Sequence, residues 1–188
     1  GGNFYSRAQV FNQMGFDHYT SKEIMNILRM TPKGWATDDV LIPNILDSMD
    51  TTEGQDFVFT ISVQGHGDYP TEPTLENPTI KVDGVEDEGK RNAWEYYVNE
   101  VYEMDKFAGD LVAALEERGE PTVVVFYGDH LPTMDLEAKD LKSRYLYNTN
   151  YVIWDNIGLE KKDGNYAAYQ IMAEVFERLD IHAGTVFN

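Results

Sequence analysis

The segment that most constrains the fold is an apolar run from Thr122 to Tyr127, which is followed at once by Gly128, Asp129 and His130. Consecutive β-branched and aromatic residues are typical of a buried strand. Ligands of open α/β sheets gather where the strands end, so the sequence places this Asp-His pair where a site is expected. A carboxylate and an imidazole suit a divalent transition metal. The alternative interpretation is a turn in which Asp129 caps the next helix and His130 is a surface residue.

A second strand is predicted from Phe57 to Val63, and it ends just before His66, which lies between two glycines. If the two strands are parallel neighbours, the side chains of His66 and His130 converge on one cleft. The alternative is that His66 is an ordinary loop residue. The following residues, 69–89, are rich in proline, glycine and acidic side chains, which predicts a long surface loop of the kind that often has a function.

Helical periodicity is strongest between Trp94 and Leu115, and Gly119 with Pro121 predicts its end. Shorter helices are predicted for residues 6–14, 21–28, 40–49 and 164–179, and a third strand for residues 151–154. Strands that alternate with helices predict an α/β domain in which a mostly parallel sheet is flanked by helices. No internal repeat or second domain boundary is evident in the sequence.

The charge of the chain excludes one class of partner. A formal net charge of −18, from 33 acidic and 15 basic residues among 188, would repel a nucleic-acid backbone. The same charge gives no long-range attraction for a phosphate, so a bound anion would need a metal ion or a few local basic groups. The chain has no cysteine, which excludes disulfides and thiolate metal sites.

Three segments together resemble a known family. FTISVQGHGDYP, VVVFYGDHLP and YVIWDN, in this order and spacing, are similar to the C-terminal part of the lipoteichoic acid synthase family. Its members are membrane-anchored phosphoglycerol transferases with a sulfatase-like catalytic domain of the alkaline phosphatase superfamily. The resemblance extends from about Tyr5 to Leu179. It implies that residues 1–188 are the C-terminal portion of such a domain, a partial sulfatase-like α/β fold whose nucleophilic threonine lies upstream.

The resemblance also implies roles for individual residues. Asp129 and His130 match two ligands of a divalent metal, usually Mn²⁺, with Mg²⁺ and Zn²⁺ as alternatives. His66 matches a histidine near the transferred phosphoglycerol group, and a histidine in this region can ligate a second ion in distant two-metal relatives. Tyr5 and Arg7 resemble an aromatic-x-Arg segment whose arginine contacts the substrate phosphate, which a guanidinium can bind in a bidentate way. The alternative for Arg7 is a solvated residue at the start of a helix.

The implied activity is the metal-dependent transfer of phosphoglycerol from a phospholipid donor to an envelope polymer or glycolipid. The implied location is the extracellular face of the cell membrane, reached through an N-terminal anchor outside this chain. The chain alone is expected to be inactive, to bind metal weakly and to self-associate through an exposed sheet edge. Two alternatives remain open: a noncatalytic sulfatase-fold module that binds phosphorylated glycans, and a phosphoethanolamine transferase or sulfatase of the same superfamily.

Overall fold

The computed structural model describes Gly2 and residues 4–182, which form two compact units. Unit 1 comprises the described residues of Gly1–Gly119 together with Gly128–Thr149, and unit 2 those of Glu120–Tyr127 together with Asn150–Asn188. The helices and strands, in chain order, are α1 (Arg7–Gln13), α2 (Leu41–Met49), α3 (Glu88–Arg118), β1 (Val123–Tyr127), β2 (Tyr151–Asp155) and α4 (Ile171–Arg178). Short 3-10 turns occupy Phe4–Ser6, Asp38–Val40, Ala138–Asp140 and Ala168–Gln170. None of the helices in the described part combines the length and the apolar character needed to cross a bilayer.

The long helix α3 is the scaffold of unit 1, and it confirms the strongest helical prediction. It begins where the Asp87 side chain accepts a hydrogen bond from the backbone N–H of Lys90 over 2.7 Å. It ends at Gly119, whose φ of 73° lies in the left-handed region that glycine adopts without a steric cost. Both signals are local, so the sequence alone could locate them.

The apolar core of unit 1 lies between α2 and α3. The helix α2 and the 3-10 turn before it pack against α3 and bury a small group of apolar side chains: Val40, Leu41, Ile45, Tyr96, Leu111 and Leu115. Burial of each large apolar side chain contributes about 1.5–3 kcal/mol to the free energy of unfolding. This packing fixes the position of α3 relative to α2.

The loop predicted for residues 69–89 is confirmed up to Asp87, since α3 begins at Glu88, and side chains of α3 hold it in place. Asn99 accepts from the backbone N–H of Ile80 over 3.0 Å and donates to the carbonyl oxygen of the same residue over 2.8 Å. Asn92 donates to the carbonyl oxygen of Thr71 over 2.8 Å. Side-chain amides therefore satisfy backbone groups that a helix or sheet would otherwise satisfy.

Unit 2 contains the sheet. Strands β1 and β2 pair with a register that runs from Val123 opposite Asp155 to Tyr127 opposite Tyr151. The final helix α4 is shorter than the prediction for residues 164–179, and it buries Val175. Its Glu174 carboxylate lies 3.0 Å from the Lys162 ammonium.

The mixture of helices and a sheet agrees with the predicted α/β class, but the prediction of parallel pairing is wrong for the two strands described. Strands β1 and β2 are antiparallel. A parallel connection needs a crossover that carries the chain back along the sheet, usually as a helix. Residues 128–150 contain only one 3-10 turn, so the chain re-enters the sheet from the end that it left.

Two predicted elements do not form. Residues 57–63 belong to no strand in the described part of the chain, and the side chains of Phe57 and Phe59 are 62% and 42% exposed. A strand needs a hydrogen-bonding neighbour, which an apolar pattern cannot supply. Residues 21–28 form turns, and Ile24 and Leu28 are 72% and 79% exposed. A short helix needs its apolar face to be packed, and here that face meets no core.

Candidate functional site

The structure brings two of the predicted site residues close together. The imidazole rings of His66 and His130, both in unit 1, have centroids 6.5 Å apart and lie at 81° to each other. The predicted convergence of the two histidines is therefore present, although no pairing between their strands produces it. His130 follows β1 after two residues, whereas His66 lies in a turn in which its backbone N–H donates to the carbonyl oxygen of Val63 over 3.1 Å.

The side chains of Asp129 and His130 form one adjacent pair of metal-ligand types. Nδ1 of His130 donates to the carbonyl oxygen of Leu131 over 2.9 Å, so the lone pair of the neutral ring is on Nε2. Nε2 lies 3.7 Å from Oδ1 of Asp129. Two donor atoms at ~2.1 Å from a tetrahedral ion would be roughly 3.4 Å apart, so this pair fits a divalent metal.

The pair alone is an incomplete coordination shell. Across the residues that the structure describes, no group of three or more histidine and acidic side chains is arranged to hold a metal ion. Structural and catalytic zinc sites use three or four protein ligands. The two residues therefore account for part of the expected site, and the metal roles of Asp129 and His130 stay predictions.

His66 is oriented by two contacts. Its Nδ1 donates to the carbonyl oxygen of Gly67 over 2.5 Å, which leaves Nε2 free to face a substrate. The indole ring of Trp35 lies against the imidazole, with centroids 4.8 Å apart. The sequence analysis did not identify Trp35. The signal that could have found it is the Pro-Lys-Gly turn directly before it, which is typical of a tight turn that presents the next side chain.

Backbone hydrogen bonds fix the position of Trp35. Its carbonyl oxygen accepts from the N–H of Thr31 over 2.7 Å, and its own N–H donates to the Thr31 hydroxyl over 3.1 Å. Gly34, inside this turn, has a φ of 81°, which a residue with a Cβ rarely adopts. The turn therefore holds the indole beside His66.

Below the turn that carries His66 lies a buried polar network. Gln64 accepts from the backbone N–H of Asp38 over 2.7 Å and donates to Glu100 over 3.0 Å. The Ser62 hydroxyl donates to the Asp38 carboxylate over 2.6 Å. Asp38, Gln64 and Glu100 are each at most 5% exposed. The sequence analysis missed this network, because its members are distant along the chain and are ordinary residue types.

Burial raises the pKa of both carboxyls in the network. Loss of solvation raises the pKa of the Asp38 carboxyl, and the hydrogen bond from Ser62 opposes that rise. Loss of solvation also raises the pKa of Glu100, against the hydrogen bond from Gln64. Burial disfavours the charged form of each carboxyl, so both hold a proton more readily than an exposed acid. The network fixes Gln64, two residues before His66.

A close approach to α3 constrains Gly65, the residue between Gln64 and His66. A Cβ built on Gly65 would lie 2.6 Å from the sulfur of Met104 in α3. A residue larger than glycine would force Met104 away from this position. The turn therefore contacts α3 at Gly65 as well as at Gln64.

The two histidines open into a cleft of about 770 Å³ in unit 1. This volume is within the range of roughly 300–1,000 Å³ that small-molecule sites occupy. The cleft extends from His66 and His130 to the start of α3, and the other residues that line it are Gly67, Asp68, Tyr69, Thr71, Asp87, Lys90, Ala93, Trp94, Thr133, Met134 and Asp135.

The structure does not bring the other two predicted substrate residues to this cleft. Tyr5 is 78% exposed, and the Arg7 guanidinium lies 5.5 Å from the ring centroid of Phe4. Neither Tyr5 nor Arg7 is among the residues that line the cleft. Their contact with a substrate phosphate stays a prediction.

Comparisons with known proteins show which family and which curated protein the chain is similar to. The sequence profile described as Sulfatase matches residues 1–181. A curated protein of Rhizobium meliloti (strain 1021), described provisionally as a cyclic beta-1,2-glucan modification protein, is 31% identical over 194 aligned residues, which are 92% of this chain. The chain spans only 30% of the length of that relative. No solved structure gives a significant match to the chain.

Proposed function

We propose, because this chain belongs to the sulfatase family, that it forms part of a metal-dependent transferase that moves a phosphoglycerol group from a lipid donor to an acceptor in the cell envelope. The observation that carries the proposal is the pair of imidazoles with centroids 6.5 Å apart at one end of a cleft, one of them beside a carboxylate. Such a group can hold a metal on one side and a phosphate ester on the other.

Each residue has a distinct part in this proposal. Asp129 and His130 would hold the ion, with Mn²⁺ as the first candidate. When bound, such an ion stabilises negative charge on phosphoryl oxygens and lowers the pKa of a coordinated hydroxyl. His66 offers Nε2 to the phosphoglycerol group or to the proton of an attacking alcohol. Arg7 would offset phosphate charge, and Tyr5 would pack beside it.

The acceptor class has two candidates. The resemblance described above favours an envelope polymer or glycolipid, whereas the description of the Rhizobium relative refers to a cyclic glucan. Both acceptors present an alcohol, so the phosphoryl chemistry is the same. We place the reaction at the extracellular face of the membrane, where a phospholipid donor and an envelope acceptor meet.

The test is His130→Ala in the protein at its encoded length. Phosphoglycerol transfer from a labelled phosphatidylglycerol and bound Mn²⁺ are measured together. We expect loss of the metal and a fall in transfer of about a hundredfold or more. The matched control is His18→Ala, because His18 is an exposed histidine outside the cleft.

Unchanged transfer with full metal occupancy in His130→Ala would show that His130 is not a ligand. A wild-type protein that binds phosphorylated glycans but transfers nothing would favour the noncatalytic binding module instead. These two results separate an error in the residue assignment from an error in the function.

A further inference from the structure

One part of the cleft, called the arm here and lined by Tyr69 and Trp94, has an aromatic wall. Tyr69 and Trp94 line it together with His66. The ring of Tyr97 packs edge-to-face against both, with centroids 5.4 Å from Tyr69 and 6.1 Å from Trp94. The Tyr69 hydroxyl donates to the carbonyl oxygen of Gly65 over 3.1 Å, so the wall is joined to the turn that presents His66.

This wall is built on a rigid element. Trp94 and Tyr97 lie in the second and third turns of α3, which is capped by Asp87. The loop opposite is tight against the helix, because a Cβ on Gly89 would lie 3.2 Å from the Cβ of Thr71. Aromatic rings held in this way present a flat surface at little entropic cost to a ligand.

The carboxylates that line the cleft disfavour a polyanionic ligand. Three carboxylates line the cleft, from Asp68, Asp87 and Asp135, against the single ammonium of Lys90. Lys33 lies 3.6 Å from Asp68 and offsets part of its charge. The whole chain has a formal net charge of −18, so a polyanionic chain of glycerol phosphates would be repelled.

Neutral polyols suit the same groups. Ionised carboxylates accept hydrogen bonds from hydroxyl groups, and the lysine donates to them. The C–H face of a sugar ring is slightly positive and packs on the negative face of an indole. An aromatic wall bordered by carboxylates therefore matches a saccharide on both of its surfaces.

We propose that this arm binds the neutral saccharide that accepts the transferred group, with a sugar ring on Trp94 and sugar hydroxyls on the carboxylates and Lys90. The inference rests on the proposed function and adds the class of the acceptor. In the transfer, a sugar oxygen forms a bond to phosphorus while the bond from phosphorus to the departing oxygen breaks. The proton of the sugar hydroxyl passes through His66 to the departing oxygen.

The first test is direct binding of a β-1,2-linked glucose disaccharide to the protein at its encoded length, measured by calorimetry. The variants are Trp94→Phe, which keeps a flat ring, and Trp94→Leu, which keeps an apolar side chain without one. We expect Trp94→Leu to weaken binding about tenfold or more and Trp94→Phe to retain most of the affinity. Tyr102→Ala is the control, because Tyr102 is an exposed aromatic residue of the same helix outside the cleft.

Three results would overturn the saccharide site. They are equal binding by wild type and Trp94→Leu, no saturable binding by wild type, and tighter binding of a glycerol phosphate oligomer than of the disaccharide. Circular dichroism confirms that each variant is folded. If Trp94→Leu unfolds, the affinities of Trp94→Phe and Lys90→Ala for the disaccharide are compared, since only Lys90→Ala removes a proposed donor. Weaker binding by Lys90→Ala than by Trp94→Phe supports the site, and equal binding overturns it.

The proposed function and the proposed saccharide site can be contradicted independently of each other. Saccharide binding that depends on the Trp94 ring supports the site even if the protein transfers no phosphoglycerol, which would contradict the proposed function alone. Transfer of phosphoglycerol without ring-dependent saccharide binding would overturn the acceptor site and leave the proposed function standing.

Discussion

The side-chain amide of Gln64 donates to the Glu100 carboxylate over 3.0 Å, and both side chains are buried. The oxygen of the same amide accepts from the backbone N–H of Asp38 over 2.7 Å. One amide thus joins α3 to the 3-10 turn before α2. Because Gln64 is two residues from His66, this junction also sets the position of the imidazole.

Gln64→Leu should destabilise unit 1. It leaves the N–H of Asp38 and the carboxyl of Glu100 buried without their partner, at a cost of about 2–4 kcal/mol in the free energy of unfolding. Urea denaturation measures the change, and Gln55→Leu is the control because Gln55 is exposed. A loss below about 0.5 kcal/mol would mean that the network contributes nothing to stability.

Glu100→Gln should gain stability relative to wild type as the pH rises. Burial raises the pKa of Glu100 in the folded protein above its ordinary 4.5, so the folded state binds more protons than the unfolded state in the window above that value. Wild type therefore loses stability as the pH rises through this window, and a glutamine does not titrate. Denaturation midpoints of both proteins from pH 4 to pH 8 check this. A constant difference across the series would contradict it.

Trp35→Ala should disturb His66 without unfolding the protein. The indole lies 4.8 Å from the imidazole and limits its rotation. We expect a shifted His66 ring signal in the NMR spectrum and a fall in transfer of about tenfold from a less ordered imidazole. Trp35→Phe, which restores a ring, should recover most of both. The signal of the exposed His18 serves as the internal reference, and an unmoved His66 signal would exclude the positioning role.

The chain of 188 residues alone should bind Mn²⁺ more weakly than micromolar. Asp129 and His130 supply two protein ligands, whereas stable sites supply three or four. Isothermal titration measures the affinity, with Asp129→Ala as the comparison. Micromolar binding that Asp129→Ala abolishes would show that the chain holds a complete site.

Asp155→Ala should destabilise unit 2 by about 1–3 kcal/mol. Oδ1 of Asp155 accepts from the backbone N–H groups of Leu159, Ile157 and Gly158 over 2.9, 3.0 and 2.7 Å. These hydrogen bonds, that from Leu159 first, lower the pKa of Asp155 below its ordinary 3.8.

The contribution of the Asp155 carboxylate to stability is therefore complete above its ordinary pKa of 3.8. It is lost as the pH falls through the lower pKa of the folded state. Asp163→Ala is the control for the Asp155 variant, because Asp163 is an exposed acid of the same unit. Thermal unfolding at neutral and acidic pH measures both. Equal midpoints for the two variants at neutral pH would contradict the capping role.

Local signals in the sequence predicted the elements that are stabilised locally. The periodicity between Trp94 and Leu115, with Gly119 after it, predicted α3, and the apolar run before Gly128 predicted β1. The prediction for residues 57–63 was wrong because a strand is defined by its neighbour as well as by its own residues.

The sequence by itself determined membership of the sulfatase family, and it identified Asp129, His130 and His66 as candidate site residues, since short local segments carry these features. Tertiary structure alone decided that His66 and His130 meet, that Trp35 packs on His66, and that Gln64 joins the backbone N–H of Asp38 to the buried carboxyl of Glu100. Residues distant along the chain become neighbours only when burial of apolar surface fixes the backbone, and no local pattern encodes that distance.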